Sequence, residues 1–134
     1  MPEQVTFADV DAGVRRAVAA YTQAMDDGRT DAVVATFTAD GVVDIAGLGT
    51  HEGHDALRIA YSKTAPRVPQ RHLVLNTLIT EWDQEHAAAT SDVVFLLLLD
   101  DKWRVQLVGR YDDELRREAD GEWRFTRRAA SFLP

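Results

Sequence analysis

Cysteine is absent from the 134 residues of this chain. Its absence excludes a disulfide framework, a thiolate nucleophile and any metal site built on cysteine ligands. Basic residues are also few compared with acidic ones. The chain has 15 lysines and arginines and 22 acidic residues, which gives a formal net charge of −7 at pH 7. Because like charges repel, we expect neither nucleic acid nor an anionic membrane surface to be a partner.

Long hydrophobic segments are scarce too. The longest apolar run covers only residues 93–99, far short of the ~20 residues that a membrane-spanning helix needs. Residues 1–11 are acidic and have no basic segment followed by an apolar one, so no signal peptide is expected. Hydrophobic residues make up 46% and charged residues 28%, which is typical of a globular protein. We therefore predict one domain over residues 1–134, located in the cytoplasm.

The first third of the chain has the periodicity of helices. Apolar residues recur every three or four positions, which predicts an amphipathic helix over residues 7–27 with Thr6 as its N-cap. Shorter helices are predicted near residues 31–38 and 55–63. Between them lie a first extended segment at residues 42–45 and a glycine-rich loop.

From residue 70 onward the pattern is typical of strands. Four β-rich runs are joined by short polar turns, and they cover residues 71–80, 87–99, 103–118 and 123–131. Long strands joined by short turns pair in antiparallel fashion. Their length exceeds the usual ~5–6 residues, which predicts a curved sheet with bulges. Helices followed by such a sheet indicate an α+β fold.

The third of these runs carries charges on both of its faces. One set alternates along the strand and is expected to face solvent: Arg110, Asp112, Glu114 and Arg116. The opposite set points inward and includes Asp113 and Arg117. Because an unpaired buried charge is costly, each of them needs the other or a different partner. We interpret the two as a structural ion pair.

Several motifs, in this order and spacing, resemble the SnoaL-like branch of the nuclear transport factor 2-like superfamily. They lie at residues 21–28, 37–44, 49–53, 71–76, 109–113 and 120–124. The resemblance covers nearly the whole chain from about residue 8. It implies a cone-shaped fold, in which three N-terminal helices close one side of a strongly bent antiparallel sheet and an apolar pocket opens between them.

Within this superfamily the pattern is most similar to scytalone dehydratase and hexachlorocyclohexane dehydrochlorinase. In both, an aspartate at the end of the first helix and a histidine early in the second strand form a catalytic dyad, and Asp26 and His72 match those positions. The dehydrochlorinase also has an inward arginine late in the sheet, for which Arg117 is the nearest match. The alternative for Asp26 and His72 is a solvated turn and a core histidine.

The groups that hold the substrate in those enzymes are matched less well. Met25 and Ile45 stand where the dehydratase has paired pocket tyrosines, and Gly109 stands in place of its second pocket histidine. The resemblance places Met25 and Ile45 in the pocket, and the other predicted substrate-binding residues are Tyr21, Tyr61, Asn76, Phe95, Tyr111 and Asp113. For Tyr21 and Asn76, a role as hydrogen bonders of the core is an equal alternative.

A metal site is not predicted. His51 and His54 can share one helical face, but a zinc site needs at least a third protein ligand. We interpret both histidines as capping and surface groups. The sequence therefore predicts neither a metal nor an organic cofactor.

The predicted function is a cofactor-free elimination, either dehydration or dehydrohalogenation, of a small apolar or aromatic molecule. His72 would be the general base, Asp26 would orient it, and Arg117 or Tyr21 would stabilise the developing charge. One alternative is an isomerase or polyketide cyclase with Asp113 or Asp26 as the base, and another is a non-catalytic ligand-binding or docking domain. The resemblance also implies a homodimer or a higher homo-oligomer, with the outer face of the sheet as the interface.

Overall fold

The computed structural model describes residues 4–134, which form three helices and six strands. In chain order these are α1 (Phe7–Asp26), α2 (Thr30–Ala35), β1 (Phe37–Ile45), β2 (Gly49–Glu52), α3 (His54–Lys63), β3 (Gln70–Trp82), β4 (His86–Leu99), β5 (Lys102–Arg117) and β6 (Trp123–Phe132). The three helices and the four long strands lie within a few residues of their predicted positions. Strand β2 falls in the predicted glycine-rich loop, and β1 begins well before the predicted extended segment.

Helix α1 begins at a capping box. The Thr6 hydroxyl accepts a hydrogen bond from the Asp9 backbone N–H, and the Asp9 carboxylate accepts one from the Thr6 N–H. The apolar stripe of the helix is buried at Val10, Val14, Val18 and Tyr21. Gly28 has a φ of 72°, the left-handed conformation that stops a helix. Asp26 is therefore the last helical residue.

The six strands form one curved, unclosed sheet in the order β2-β1-β6-β5-β4-β3. Interruptions of register in the β1–β6, β3–β4, β4–β5 and β5–β6 ladders mark bulges, and bulges bend a sheet. The predicted α+β fold with a curved sheet is confirmed. One ladder differs from the rest, because β1 and β6 pair in parallel.

The helices cover one face of this sheet and enclose the core with it. Helix α1 lies against β3 and β6, and it packs so closely on β6 that a Cβ atom at Gly13 would collide with the ring of Trp123. The fully buried side chains include Phe37, Leu57, Val93, Leu115 and Phe125. None of the helices in residues 4–134 combines the length and the apolar character that crossing a bilayer requires.

Candidate active site

The end of α1 meets the start of β3 at a pair of hydrogen-bonded side chains. His72 Nδ1 lies 2.6 Å from Asp26 Oδ1, and the His72 backbone N–H donates to Asp26 Oδ2 at 2.8 Å. Because a carboxylate only accepts, Nδ1 carries the proton and the other ring nitrogen, Nε2, is the basic one. The side chains of His72 and Asp26 are only 10% and 5% exposed. The predicted dyad is therefore assembled in hydrogen-bonding geometry.

Gln70 is a third member of this arrangement, and the sequence analysis missed it. Its side-chain Nε2 donates to Asp26 Oδ1 at 3.2 Å, and the residue is buried. A carboxylate at the C-terminal end of a helix is disfavoured by the helix dipole, and the donors from β3 compensate for that cost. Gln70 and His72 are two residues apart on one strand and so share a face, a signal that the sequence already contained.

The imidazole of His72 is held flat against Phe95. Their ring centroids are 4.4 Å apart and the ring planes are inclined by 25°. The two residues lie directly opposite each other in the β3–β4 ladder. The ring of His72 is therefore fixed by a hydrogen bond at one nitrogen and by stacking on one face, while the residue lines a cavity.

That cavity lies between the helices and the inner face of the sheet and has a volume of about 220 Å³. Six of the predicted substrate-binding residues line it: Tyr21, Met25, Ile45, Tyr61, Phe95 and Tyr111. A second, open groove of about 600 Å³ runs between α1 and β3 outside the cavity, and both Asp26 and His72 border it. The dyad thus stands between an apolar cavity and a solvent-filled groove.

The buried ion pair of the sheet is Asp113 with Arg128. Arg128 Nε lies 2.9 Å from Asp113 Oδ1 and Nη2 lies 3.3 Å from Oδ2, and both side chains are completely buried. The predicted pairing of Asp113 with Arg117 is wrong. Residues four apart on one strand are separated by about 13 Å, whereas Asp113 and Arg128 are direct partners in the β5–β6 ladder.

Arg117 instead lies at the far end of β5. Its Nε donates to the Gln84 carbonyl at 3.0 Å, and it does not line the cavity. Arg128, which the sequence analysis did not single out, does line the cavity. Its guanidinium carbon stands 3.6 Å from the ring centroid of Tyr111 and 4.3 Å from that of Tyr21, so the cation is held by aromatic faces.

One atom of Arg128 has no partner. Nη1 is buried and forms no hydrogen bond with any residue of the described chain, 4–134. Burial works to lower the pKa of the guanidinium, but Asp113 together with Tyr111, Tyr21 and Tyr61 raises that pKa above its ordinary value. Burial also raises the pKa of Asp113 above its ordinary value, although Arg128 opposes the change.

The tyrosines of the cavity are neutral phenols at physiological pH. The hydroxyl groups of Tyr21 and Tyr61 are 2.7 Å apart and bond to each other. Burial raises the pKa of Tyr21, Tyr61 and Tyr111 above the ordinary tyrosine value. Tyr111 lines the same cavity.

Two predicted substrate-binding residues lie outside the cavity lining. Asn76 is exposed, has a φ of 58° and donates to Asp92 Oδ2 at 2.9 Å. Simple alternation from His72 places residue 76 inward, but the β3–β4 register breaks there and turns Asn76 to the outside. Asp113 is absent from the cavity wall, and both of its carboxylate oxygens accept hydrogen bonds from Arg128.

The comparison with protein families decides which family the fold and site belong to. The family model of the SnoaL-like domain matches residues 8–129. The chain belongs to this family. No curated protein matches this SnoaL-like domain significantly.

Solved structures agree with the assignment. The SnoaL-like domain is similar to a Catenulispora acidiphila protein in complex with S-DNPA, with 26% identity, a TM-score of 0.83 and coverage of 93% of this chain and 94% of that one. A function-unknown protein of Mycobacterium tuberculosis, Rv3472(D26N), has 26% identity and a TM-score of 0.85 over 92% of this chain and 72% of that one. An NTF2-like protein with a cystatin-like fold from Novosphingobium aromaticivorans shares the fold, at 21% identity, a TM-score of 0.79, and 92% and 81% coverage.

Proposed function

We propose that this SnoaL-like domain is a cofactor-free lyase that eliminates water or a hydrogen halide from a small, largely apolar or aromatic molecule. The observation that carries the proposal is the 2.6 Å contact of His72 Nδ1 with Asp26, which leaves the basic Nε2 available at a residue lining an apolar cavity. A carboxylate on one imidazole nitrogen fixes the tautomer and raises the basicity of the other.

In the proposed elimination each residue has a separate role. His72 Nε2 takes a proton from a carbon of the substrate, and the electron pair of that C–H bond forms a carbon–carbon double bond. The bond from the neighbouring carbon to the leaving group breaks, and the leaving group departs with the electron pair of that bond. Asp26 stabilises the imidazolium that forms. Gln70 holds Asp26 in place through its 3.2 Å hydrogen bond. The proton then passes to a hydroxide leaving group, which leaves as water, or to the solvent-filled groove.

The similar proteins support a small-molecule ligand. The Catenulispora acidiphila protein, which shares the fold at 26% identity, is in complex with the compound S-DNPA. The cavity here is mostly apolar, as small-molecule sites usually are. A non-catalytic binding domain is the alternative, and the test below separates it from the lyase.

For the isomerase or cyclase alternative, the structure favours one of the two candidate bases, Asp26, over the other, Asp113. Asp113 is bound at both carboxylate oxygens by Arg128 and does not line the cavity, which argues against its acting as the base. Asp26, hydrogen-bonded to His72, is then the only carboxylate among those proposed from the sequence that adjoins the cavity lining. The two reactions also differ in product, since an isomerase exchanges a substrate proton without losing a leaving group.

The test is turnover of a panel of cyclic β-hydroxy ketones and β-halo compounds, followed by the absorbance of the alkene product. We expect His72→Ala to lower the rate by about 10²–10⁴-fold and Asp26→Asn to lower it as well. The matched control is His86→Ala, because His86 is an exposed histidine of the β3–β4 turn region and its loss should leave the rate unchanged. Full activity of His72→Ala would contradict the proposal, and proton exchange in D₂O without elimination would favour an isomerase.

We also propose a homodimer formed through the outer face of the sheet. The ladders place several partly exposed apolar side chains of β3 and β5 on that face, namely Leu73, Leu75, Leu78, Trp103, Val105 and Val108. Beside them, Arg110 pairs with Asp92 at 2.8 Å. A two-fold interface joins the same patch of both subunits, and a patch with charges of both signs allows opposite charges to meet across it.

A further inference from the structure

We infer that Phe95 is a positioning residue for His72, and that the face of its ring stabilises the imidazolium form of this histidine through a cation–π interaction. The inference deepens the proposed function and rests on it only for the claim that His72 acts as a base. Phe95 is among the residues predicted to bind the substrate, and it lines the cavity. One face of its ring is nevertheless covered by His72, which gives Phe95 a second role.

The stacking of the two rings is the first argument. Their centroids are 4.4 Å apart and their planes are inclined by 25°, so the imidazole lies over the negative face of the phenyl ring and not against its edge. The face of an aromatic ring attracts a cation within about 6 Å of its centroid. Neutral imidazole gains little from this attraction, whereas imidazolium gains all of it. The contact therefore favours the protonated ring.

The backbone of both strands fixes this geometry. His72 and Phe95 are direct partners in the antiparallel β3–β4 ladder, which puts their side chains on the same face of the sheet. The β4–β5 register breaks between Phe95 and Leu96, and a bulge re-aims the side chains beside it. At the edge of the imidazole, the Asp26 carboxylate lies 2.6 Å from Nδ1. The ring of His72 is thus held between a carboxylate at its edge and an aromatic face.

The other titratable and charged groups near His72 lie on both sides of it. Those of the groove come from α1 and β3, namely Asp26, Asp27, Arg15 and Arg71. Those of the cavity are the guanidinium of Arg128, which Asp113 balances, and the phenols of Tyr21, Tyr61 and Tyr111. Asp26 binds the imidazole directly and favours its charged form as Phe95 does. A change confined to the ring of Phe95 leaves all of these groups in place.

In the proposed elimination, the contact acts on the step in which His72 gains a proton. The side chain of His72 is only 10% exposed, so water solvates the new positive charge poorly. Asp26 at the ring edge and Phe95 at the ring face are fixed in place before the proton arrives, and preorganised groups of this kind stabilise charge without rearranging. Phe95 therefore acts through the base and not on the reacting atoms.

The experiment replaces Phe95 in the full chain by monofluoro-, trifluoro- and pentafluorophenylalanine. These residues nearly keep the shape of the side chain, while fluorine progressively removes and finally inverts the negative charge of the ring face. The midpoint of His72 protonation is measured by NMR of the isotope-labelled protein without substrate. Because the imidazolium loses stabilisation, we expect the midpoint to fall stepwise along the series, by about one pH unit in total.

A matched control makes the same chemical change elsewhere in the cavity. Phe132, on β6, also lines the cavity, and within residues 4–134 the ring stacked on His72 is that of Phe95. Pentafluorophenylalanine at position 132 should therefore leave the His72 midpoint unchanged. The exposed His86 is the internal reference, and its midpoint should be the same in every protein of the series.

Turnover of a substrate from the panel above gives a second measurement. We expect kcat to fall in the same order along the series while KM changes little, because Phe95 acts on proton transfer. A His72 midpoint that stays constant or rises along the series, or that falls equally when Phe132 is replaced, would overturn the inference. Since the titration uses no substrate, its result is separate from that of the lyase test.

Discussion

Arg128 combines a complete ion pair on one side of its guanidinium with a free donor on the other. A buried ion pair contributes little net stability, because the attraction of the charges offsets the cost of removing them from water. Losing one partner is a different matter, since the remaining charge stays buried alone. Replacing Arg128 alone is therefore expected to destabilise the fold, whatever its role toward a ligand.

We expect Arg128→Met to lower the free energy of unfolding by about 3–5 kcal/mol, because it leaves Asp113 buried and unpaired. The paired change Arg128→Met with Asp113→Leu should be much closer to the wild type, since no uncompensated charge remains. Urea denaturation followed by circular dichroism measures both. A double variant as unstable as the sum of its single changes would show that the two residues do not act as a pair.

The dyad could be located from the sequence, whereas Arg128 could not. The resemblance to known enzymes selected Asp26 and His72 residue by residue, and the structure places them in contact. Arg128 was missed because its partner lies across a turn, on the adjoining strand. A periodicity within one strand shows which side chains share a face but not what faces them on the next strand.

At the scale of whole elements, the hairpins of β3 to β6 were predictable from the sequence, and the parallel pairing of β1 with β6 was not. The turns between β3, β4, β5 and β6 are short and polar, so both their position and the antiparallel pairing follow from local sequence. No short turn connects β1 to β6, and their parallel alignment has no local signature. Strand β2, which covers only Gly49–Glu52, is too short for an alternation to stand out.

The turn between β5 and β6 is held by Asp120. Its carboxylate accepts two hydrogen bonds from Arg124, at 3.0 and 2.7 Å, and one from the Glu122 backbone N–H at 3.0 Å. The bonds from Arg124 and then that from Glu122 lower the pKa of Asp120 to about 2. Arg124 also donates to the Ala35 carbonyl, so the turn is tied to the end of α2.

The pH dependence of this turn follows from that lowered pKa. Because the folded value lies below the unfolded value of about 3.9, Asp120 contributes stability above pH 4 that is lost as the pH falls through about 2. A carbon-detected NMR titration of the Asp120 side chain should show a midpoint near 2. Arg124→Met should move the midpoint toward ~3.9, and an unchanged midpoint would contradict this account.

At the scale of the whole molecule, the two faces of the sheet carry different kinds of side chain. The inner face carries His72 and the cavity, and the outer face carries exposed apolar side chains such as Leu78 and Val105, which are 61% and 60% exposed. Large apolar patches on a protein surface usually mark interaction sites. A second copy of the chain is the occupant that we propose for this one.

Sedimentation velocity tests the dimer. We expect the wild type to sediment as a dimer and Leu78→Lys or Val105→Lys to sediment as a monomer, because a lysine would bury its charge in the interface. Ile59→Lys is the matched control: Ile59 is 60% exposed on α3, away from the sheet, and its change should leave the dimer intact. A monomeric wild type would refute the proposal.

Asp26 is the last residue of α1, and its carboxylate binds two residues of β3, Gln70 and His72. The same side chain thus fastens the helical layer to the sheet and orients the imidazole that we propose as the base. Local opening of a helix end is cheaper than global unfolding, and here such an opening would release the imidazole together with the helical turn. If the domain is the lyase that we propose, its activity depends on the integrity of that turn and is lost when the helix end frays, before the fold is lost.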